Sequence, residues 1–182
     1  MNQLQLLRLL LALVETAGDS ITGYASSFFS IIRYELTEAG TDARDLFLED
    51  GLVLWNHLIH LSNISYSPEI HSLFTILIYN YSRNMKLFTT VMGLIDGYLC
   101  LGKQTFLQDY KRALSSIYQT LLNLVSSREM RRLATSIHIL LLLFPDEGVE
   151  VMTGSIDNLV YILTEIETHQ STEKYEFSLS II

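Results

Sequence analysis

Four helix-breaking positions, Gly18, Asn63, Gly102 and Pro145, fall 45, 39 and 43 residues apart in a chain of 182 residues, and apolar residues recur at helical spacing between them. This regular punctuation constrains the fold more than any single motif does. The stretch from Leu94 to Val125 shows the plan. It reads as the end of one apolar helix, a break at Gly102-Lys103-Gln104, and a second helix carrying Leu107, Tyr110, Leu114, Ile117, Leu121 and Val125 on one stripe. Gln108, Arg112, Ser115, Ser116 and Gln119 occupy the opposite face. Glycine takes the left-handed conformation that stops a helix, so Gly102 is predicted to hold the turn between two antiparallel helices. One hairpin leaves its apolar stripe uncovered and needs neighbours of the same kind.

Read in order, Gln3 to Ala17 is a helix closed by Gly18, and Asp19 or Ser20 caps a second helix running from about Ile21 towards Ala39-Gly40. Thr41-Asp42-Ala43-Arg44 reads as a polar break, after which Asp45 to Leu61 forms a helix with Leu48, Leu52, Trp55, Leu58 and Ile59. Ser67-Pro68-Glu69 supplies a cap, a proline at the first helical position and an early acid, which predicts a helix from Pro68 to about Ser82. Met85 to Leu101 and Gln104 to Val125 make the third pair. Ser126 and Glu129 form a capping box for a helix ending at Phe144-Pro145, and Asp146 to about Ile166 completes a fourth pair. The pairs cover about 2–40, 45–83, 85–125 and 127–167; residues 168–182 are a tail holding the one strand-like run, Tyr175 to Ile182.

Two helices in roughly 40 to 47 residues is the period of HEAT or armadillo repeats. The expected fold is all-α, a HEAT-like α-solenoid of about four helix pairs in which each pair touches mainly its neighbours. An irregular helical bundle built from similar hairpins is the alternative. Trp55, Tyr98, Tyr110 and Tyr118 are predicted to lie between helices.

A hydrophobic content of 49% and a mean hydropathy of +0.28 supply a large core. The net charge of −8 and pI near 5.0 exclude a duplex-binding protein, which needs a basic stripe to displace counterions from phosphates. The single cysteine, Cys100, sits in an apolar run and is predicted to be a buried, reduced thiol. Leu6 to Val14 is apolar, but no basic residue precedes it, Arg8 interrupts it, and Leu6, Leu9, Leu10, Leu13 and Val14 form a helical stripe, so it reads as a helix and not as a secretory signal. The sequons at Asn63 and Asn80 matter only in a secreted chain. No apolar run reaches the roughly 18 to 20 residues that span a bilayer, and no membrane insertion is expected.

No catalytic, metal or cofactor site is expected either. His57 and His60 share a helix face without further ligands, and His71, His138 and His169 are scattered. The neighbouring carboxylates of Glu49 and Asp50 point in different directions along a helix. The polar faces fit a protein partner better. Gln108, Arg112 and Gln119 on the second helix of the third pair, with Asp157 and Glu165 in the fourth, are placed for a concave surface. Arg128, Arg131 and Arg132 open a helix where the macrodipole disfavours positive charge, and are expected to meet an acidic partner or the acidic residues Asp146, Glu147 and Glu150.

Leu48-Glu49-Asp50-Gly51-Leu52-Val53-Leu54-Trp55, Asp96-Gly97-Tyr98-Leu99 and Phe106-Leu107-Gln108-Asp109-Tyr110, together with Gly18-Asp19-Ser20 and Glu38-Ala39-Gly40, resemble the C-terminal half of the karyopherin-β (importin-β) nuclear transport receptors, importin eleven in particular. The likeness is strongest from Leu46 to Val125 and rests on packing residues. It implies stacked HEAT repeats that bind protein cargo on the face made by the second helix of each pair. It also implies a Ran-GTP site in N-terminal repeats outside this segment, contact with nuclear pore proteins, and residence in nucleus and cytoplasm. The family pattern has a longer helical segment where this chain has Thr41 to Phe47, which implies a stack shorter by one repeat. The tail after Glu167 reads as the opening of a further repeat, and the chain as a fragment or variant product.

Overall fold

The structure, a computed structural model, describes residues 3–37, 41–80, 85–155 and Val160, with backbone alone at 3, 41–47, 85, 127 and 128. All regular elements among the described residues are helical: α1 (Gln3–Ala17), α2 (Ala25–Thr37), α3 (Thr41–Ile59), α4 (Pro68–Asn80), α5 (Phe88–Leu124), α6 (Ser127–Leu143) and α7 (Pro145–Met152). The chain divides into two compact units, Met1–Tyr110 and Lys111–Ile182.

In the first unit α1 buries Leu7, Leu10 and Val14, spaced three and four apart, and ends at Gly18, whose φ of +52° is the left-handed stop read from the sequence. The second helix starts later than expected. A 3-10 segment, Gly18–Tyr24, intervenes, and α2 begins at Ala25. Asp19 does not cap this helix: its carboxylate accepts the backbone N–H of Ser62 at 2.7 Å, joining the turn of the first pair to the turn of the second. Helix α3 absorbs Thr41-Asp42-Ala43-Arg44, where a break was expected, because four residues without glycine or proline offer nothing to stop a helix. It packs on both α1 and α2, and α2 packs on α4.

Helix α4 starts as its sequence predicts, with Ser67 Oγ accepting the N–H of Ile70 at 3.3 Å and Pro68 in the first turn. The turn inside α5 differs in detail. The residue at positive φ is Lys103 (φ 46°, ψ −132°), not Gly102. Gly102 serves instead as a point of close approach, since a Cβ there would lie 2.5 Å from Phe106 Cβ and 2.7 Å from Tyr66 Cζ. Trp55, Phe74, Tyr98 and Phe106 fill the interior beneath this corner; the Phe74 and Phe106 rings meet edge to face at 4.7 Å, and Trp55 and Tyr98 at 5.9 Å. Cys100 is exposed, contrary to expectation. Tyr98 and Leu99 turn inward, and the helical rotation carries the next residue to the outer face.

In the second unit the stripe of α5 continues through Leu114, Ile117 and Leu121 to Val125 just past its end, all buried, as are Leu133, Ile137 and Leu140 of α6 and Val151 of α7. Glu129 accepts both the N–H and the hydroxyl of Ser126, each at 3.0 Å, which is the glutamate half of the capping box. The break expected at Phe144-Pro145 falls there, and Pro145 itself opens α7, one residue before the expected start at Asp146. That helix is shorter than expected, giving way to a 3-10 turn at Thr153–Ser155. The rest of the expected fourth pair, apart from Val160, and the tail with its strand-like run lie outside the described residues.

Candidate protein-interaction surface

The polar face of α5 is exposed where the sequence places it. Gln108, Arg112 and Gln119 all face solvent, at spacings that keep them on one stripe of the helix, while the apolar stripe behind them is buried. In α6, Arg131 is exposed and Arg132 half-buried; the Arg128 side chain, Asp157 and Glu165 lie outside the described residues. Of the acidic residues of α7, Glu150 takes Lys111 of α5 with its carboxylate. Asp146 remains exposed.

A second polar group escapes sequence reading. Tyr66, ahead of α4, meets Nδ1 of His71 with its hydroxyl at 2.7 Å, and Nε2 of His71 faces Asp109 of α5 at 3.2 Å. A neutral ring carries its proton on the nitrogen that faces the carboxylate, so Nδ1 accepts from the phenol. Tyr110 stacks on the same imidazole at 4.9 Å and donates its hydroxyl to the His71 carbonyl at 2.9 Å. The sequence of groups has the order of a proton relay. Yet burial, followed by the neighbouring Tyr110 and Asp109, pushes the Tyr66 phenol far above its ordinary value, and burial pushes up Tyr110 too. Such phenols stay protonated and act as hydrogen-bond donors. The cluster therefore fastens the loop before α4, and α4 itself, to the segment of α5 after its turn. Its partners are 39 residues apart at Tyr110 and His71, a distance over which no local pattern announces a contact.

The remaining histidines of the second pair are engaged separately, His57 with Glu15 at 3.6 Å and His60 through Nδ1 with the Asn56 carbonyl at 2.8 Å. No cluster of three metal-ligating side chains occurs among the described residues, and none of their helices is long and apolar enough to cross a membrane. Asn80, in the second sequon, is buried and donates to the Ile76 carbonyl. Partial burial and the nearby Asp96 carboxylate push the Cys100 thiol up, which keeps it protonated at neutral pH.

Helix pairs joined by tight turns, with polar outer faces and an interior of interlocked side chains, are the signature of a repeat protein. A family model described as importin-11-like, TPR repeats, matches residues 4–180. The chain belongs to the importin-11-like family. No curated protein and no solved structure matches it. Membership makes it a helical-repeat segment of the karyopherin transport-receptor type, with the α-solenoid as its fold class. HEAT and TPR repeats are both tandem antiparallel helix pairs, so the repeat name in the family description agrees with the pairs seen here.

Proposed function

We propose that this chain is a cargo-binding segment of a nuclear import receptor, acting in Ran-dependent transport of proteins through nuclear pores and moving between cytoplasm and nucleus. The observation that carries this reading is the importin-11-like match over residues 4–180. The exposed second-helix residues Gln108, Arg112 and Gln119, extended by Asp157 and Glu165, form the cargo face, and Arg128, Arg131 and Arg132 take an acidic element of the partner. The contacts are individually weak and act together across repeats. A chain of net charge −8 attracts basic cargo most strongly. Pore proteins and Ran engage the whole receptor. The family resemblance puts the Ran site in N-terminal repeats, so this segment alone binds Ran-GTP weakly or not at all.

The test is capture of partners from cell extract on the immobilised chain, with titration of Ran-GTP onto the purified chain alongside. Retention of a protein that Arg112→Glu with Gln119→Glu releases, and no submicromolar Ran-GTP binding, is the expected outcome. Submicromolar binding of Ran-GTP would overturn the division of labour proposed here. Retention of an assembly component with no relation to transport would make the chain a structural adaptor.

A further inference from the structure

The backbone of α5 leaves helical geometry at Lys103, and it does so under strain. A φ of 46° with ψ −132° is a conformation that glycine takes freely and a residue with a Cβ takes only at a cost. The fold-back that results is tight. Tyr98 and Phe106 would stand about 12 Å apart along a continuous helix, yet their rings meet at 5.1 Å. Phe74 of α4 meets Phe106 at 4.7 Å and Tyr110 at 4.8 Å, and His71 meets Tyr110 at 4.9 Å. A single residue makes this corner, and no proline stands anywhere between Phe88 and Leu124 to prevent the helix from running on.

Short hinges under strain invite the exchange of an element between copies of a chain. With Lys103 in ordinary helical angles, α5 runs unbroken and the strain is gone. Crowding goes with it, because a Cβ on Gly102 that would now lie 2.5 Å from the Cβ of Phe106 moves to the roughly 5–6 Å of any pair four residues apart on a helix. Straightening pulls Phe106 and Tyr110 away from Phe74, Tyr98 and His71 of their own chain and leaves that seat bare. Its shape fits the segment it has lost, and a second copy of the chain carries the same segment. We propose that Lys103 is the hinge of a domain swap in which α5 straightens and the chain from Gln104 onwards crosses to a second copy. Phe106 and Tyr110 of each copy then enter the seat made by Phe74, Tyr98 and His71 of the other.

The exchange is reciprocal, so the product is a closed two-fold dimer. Ring contacts broken by straightening are made again between the chains and cancel in the comparison. Release of strain at two hinges favours the dimer, and the freedom two chains lose on joining opposes it. Passage between the two forms requires the ring cluster to come apart, which is slow under native conditions. Dimer therefore accumulates when the chain folds at high concentration, and persists when it is diluted.

Refolding the full chain from urea at concentrations from about 1 µM to about 1 mM, followed by size-exclusion chromatography with light scattering, separates the two forms. Monomer is expected from the dilute sample and dimer from the concentrated one, with the isolated dimer keeping its mass for hours after dilution. Two substitutions at the hinge should push in opposite directions. Lys103→Gly takes the turn without strain and weakens a continuous helix, and should raise the concentration that gives half dimer by at least about tenfold. Gly102→Ala clashes in the turn and favours the helix, and should lower that concentration by about the same factor. Monomer throughout the range, a dimer that Lys103→Gly leaves unchanged, a dimer that dissolves at once on dilution, or growth beyond the dimer would each overturn the proposal. Lys103 is exposed, so its replacement disturbs no packing; should Gly102→Ala lose its helical circular dichroism, Lys103→Gly decides alone.

Discussion

The two compact units are filled with different material. In the first, Trp55, Phe74, Tyr98 and Phe106 meet ring against ring, and Tyr66, Tyr98 and Tyr110 use their hydroxyls on groups of α4. In the second, aliphatic side chains from α5, α6 and α7 dominate, and Tyr118 meets the Ser136 hydroxyl at 3.0 Å with both residues fully buried. Aliphatic layers repack with little loss, because many rotamer combinations fill the same volume. Interlocked rings do not, since each is large, flat and fixed at both ends. The first unit is therefore predicted to be the less forgiving of substitution.

The largest test of that contrast is Trp55→Ala. The indole is completely buried, and its truncation should cost about 3–5 kcal/mol, read as a lower midpoint in urea unfolding. Isoleucine-to-valine changes at Ile117 or Ile137 of the second unit should cost about 0.5–1.5 kcal/mol in the same assay, and an equal cost at both kinds of site would erase the distinction. Next comes Gly102→Ala, which drives a methyl group into Phe106 and Tyr66 and should destabilise by about 1–3 kcal/mol. A wild-type melting temperature for that variant would mean the corner has room to give.

Removing hydroxyls alone should cost less and should not distinguish the units. Tyr98→Phe deprives the Ile70 carbonyl of a donor held at 2.6 Å, and Tyr118→Phe removes the hydroxyl that meets Ser136; each should cost about 1 kcal/mol. A much greater loss at Tyr98 would show that the ties, and not the rings, hold the first unit. The smallest effect is that of pH on Glu35. This carboxyl is buried in α2 with Oε2 unpartnered, and burial raises its pKa above the ordinary 4.5. Folded and unfolded chains are both protonated there in acid. As pH rises past 4.5 the unfolded chain ionises first, so stability falls until the folded-state pKa is passed and then levels off. Glu35→Gln should remove this decline, and unfolding midpoints at pH 4 and pH 7 measure it.

Sequence reading succeeded where a signal and its effect are neighbours. The stop at Gly18, the start at Ser67-Pro68, the pairing of Ser126 with Glu129, the break at Phe144-Pro145 and the buried stripe of α5 are all events within one or two turns of chain. It failed where a distant partner decides. Asp19 looks like a helix cap until Ser62, 43 residues on, supplies an N–H, and Gly102 looks like the left-handed residue until Tyr66 claims the space beside it. Cys100 was misjudged because the hydrophobicity of a run says nothing about which way one member points. The exposure of Gln108, Arg112 and Gln119 was legible from helical spacing, whereas the His71 cluster has no local signature at all.

The hydroxyls of Tyr98 and Tyr110 end on successive carbonyls, those of Ile70 and His71, in the opening turn of α4. A helix ordinarily unravels from its ends, so amide protons near the start exchange with solvent long before those in the middle. Two phenols gripping the first turn reverse that order. In deuterated water the amides of Phe74 and Thr75, which bond those two carbonyls one turn on, should be among the slowest in the chain to exchange, and α4 should come apart from its far end at Asn80.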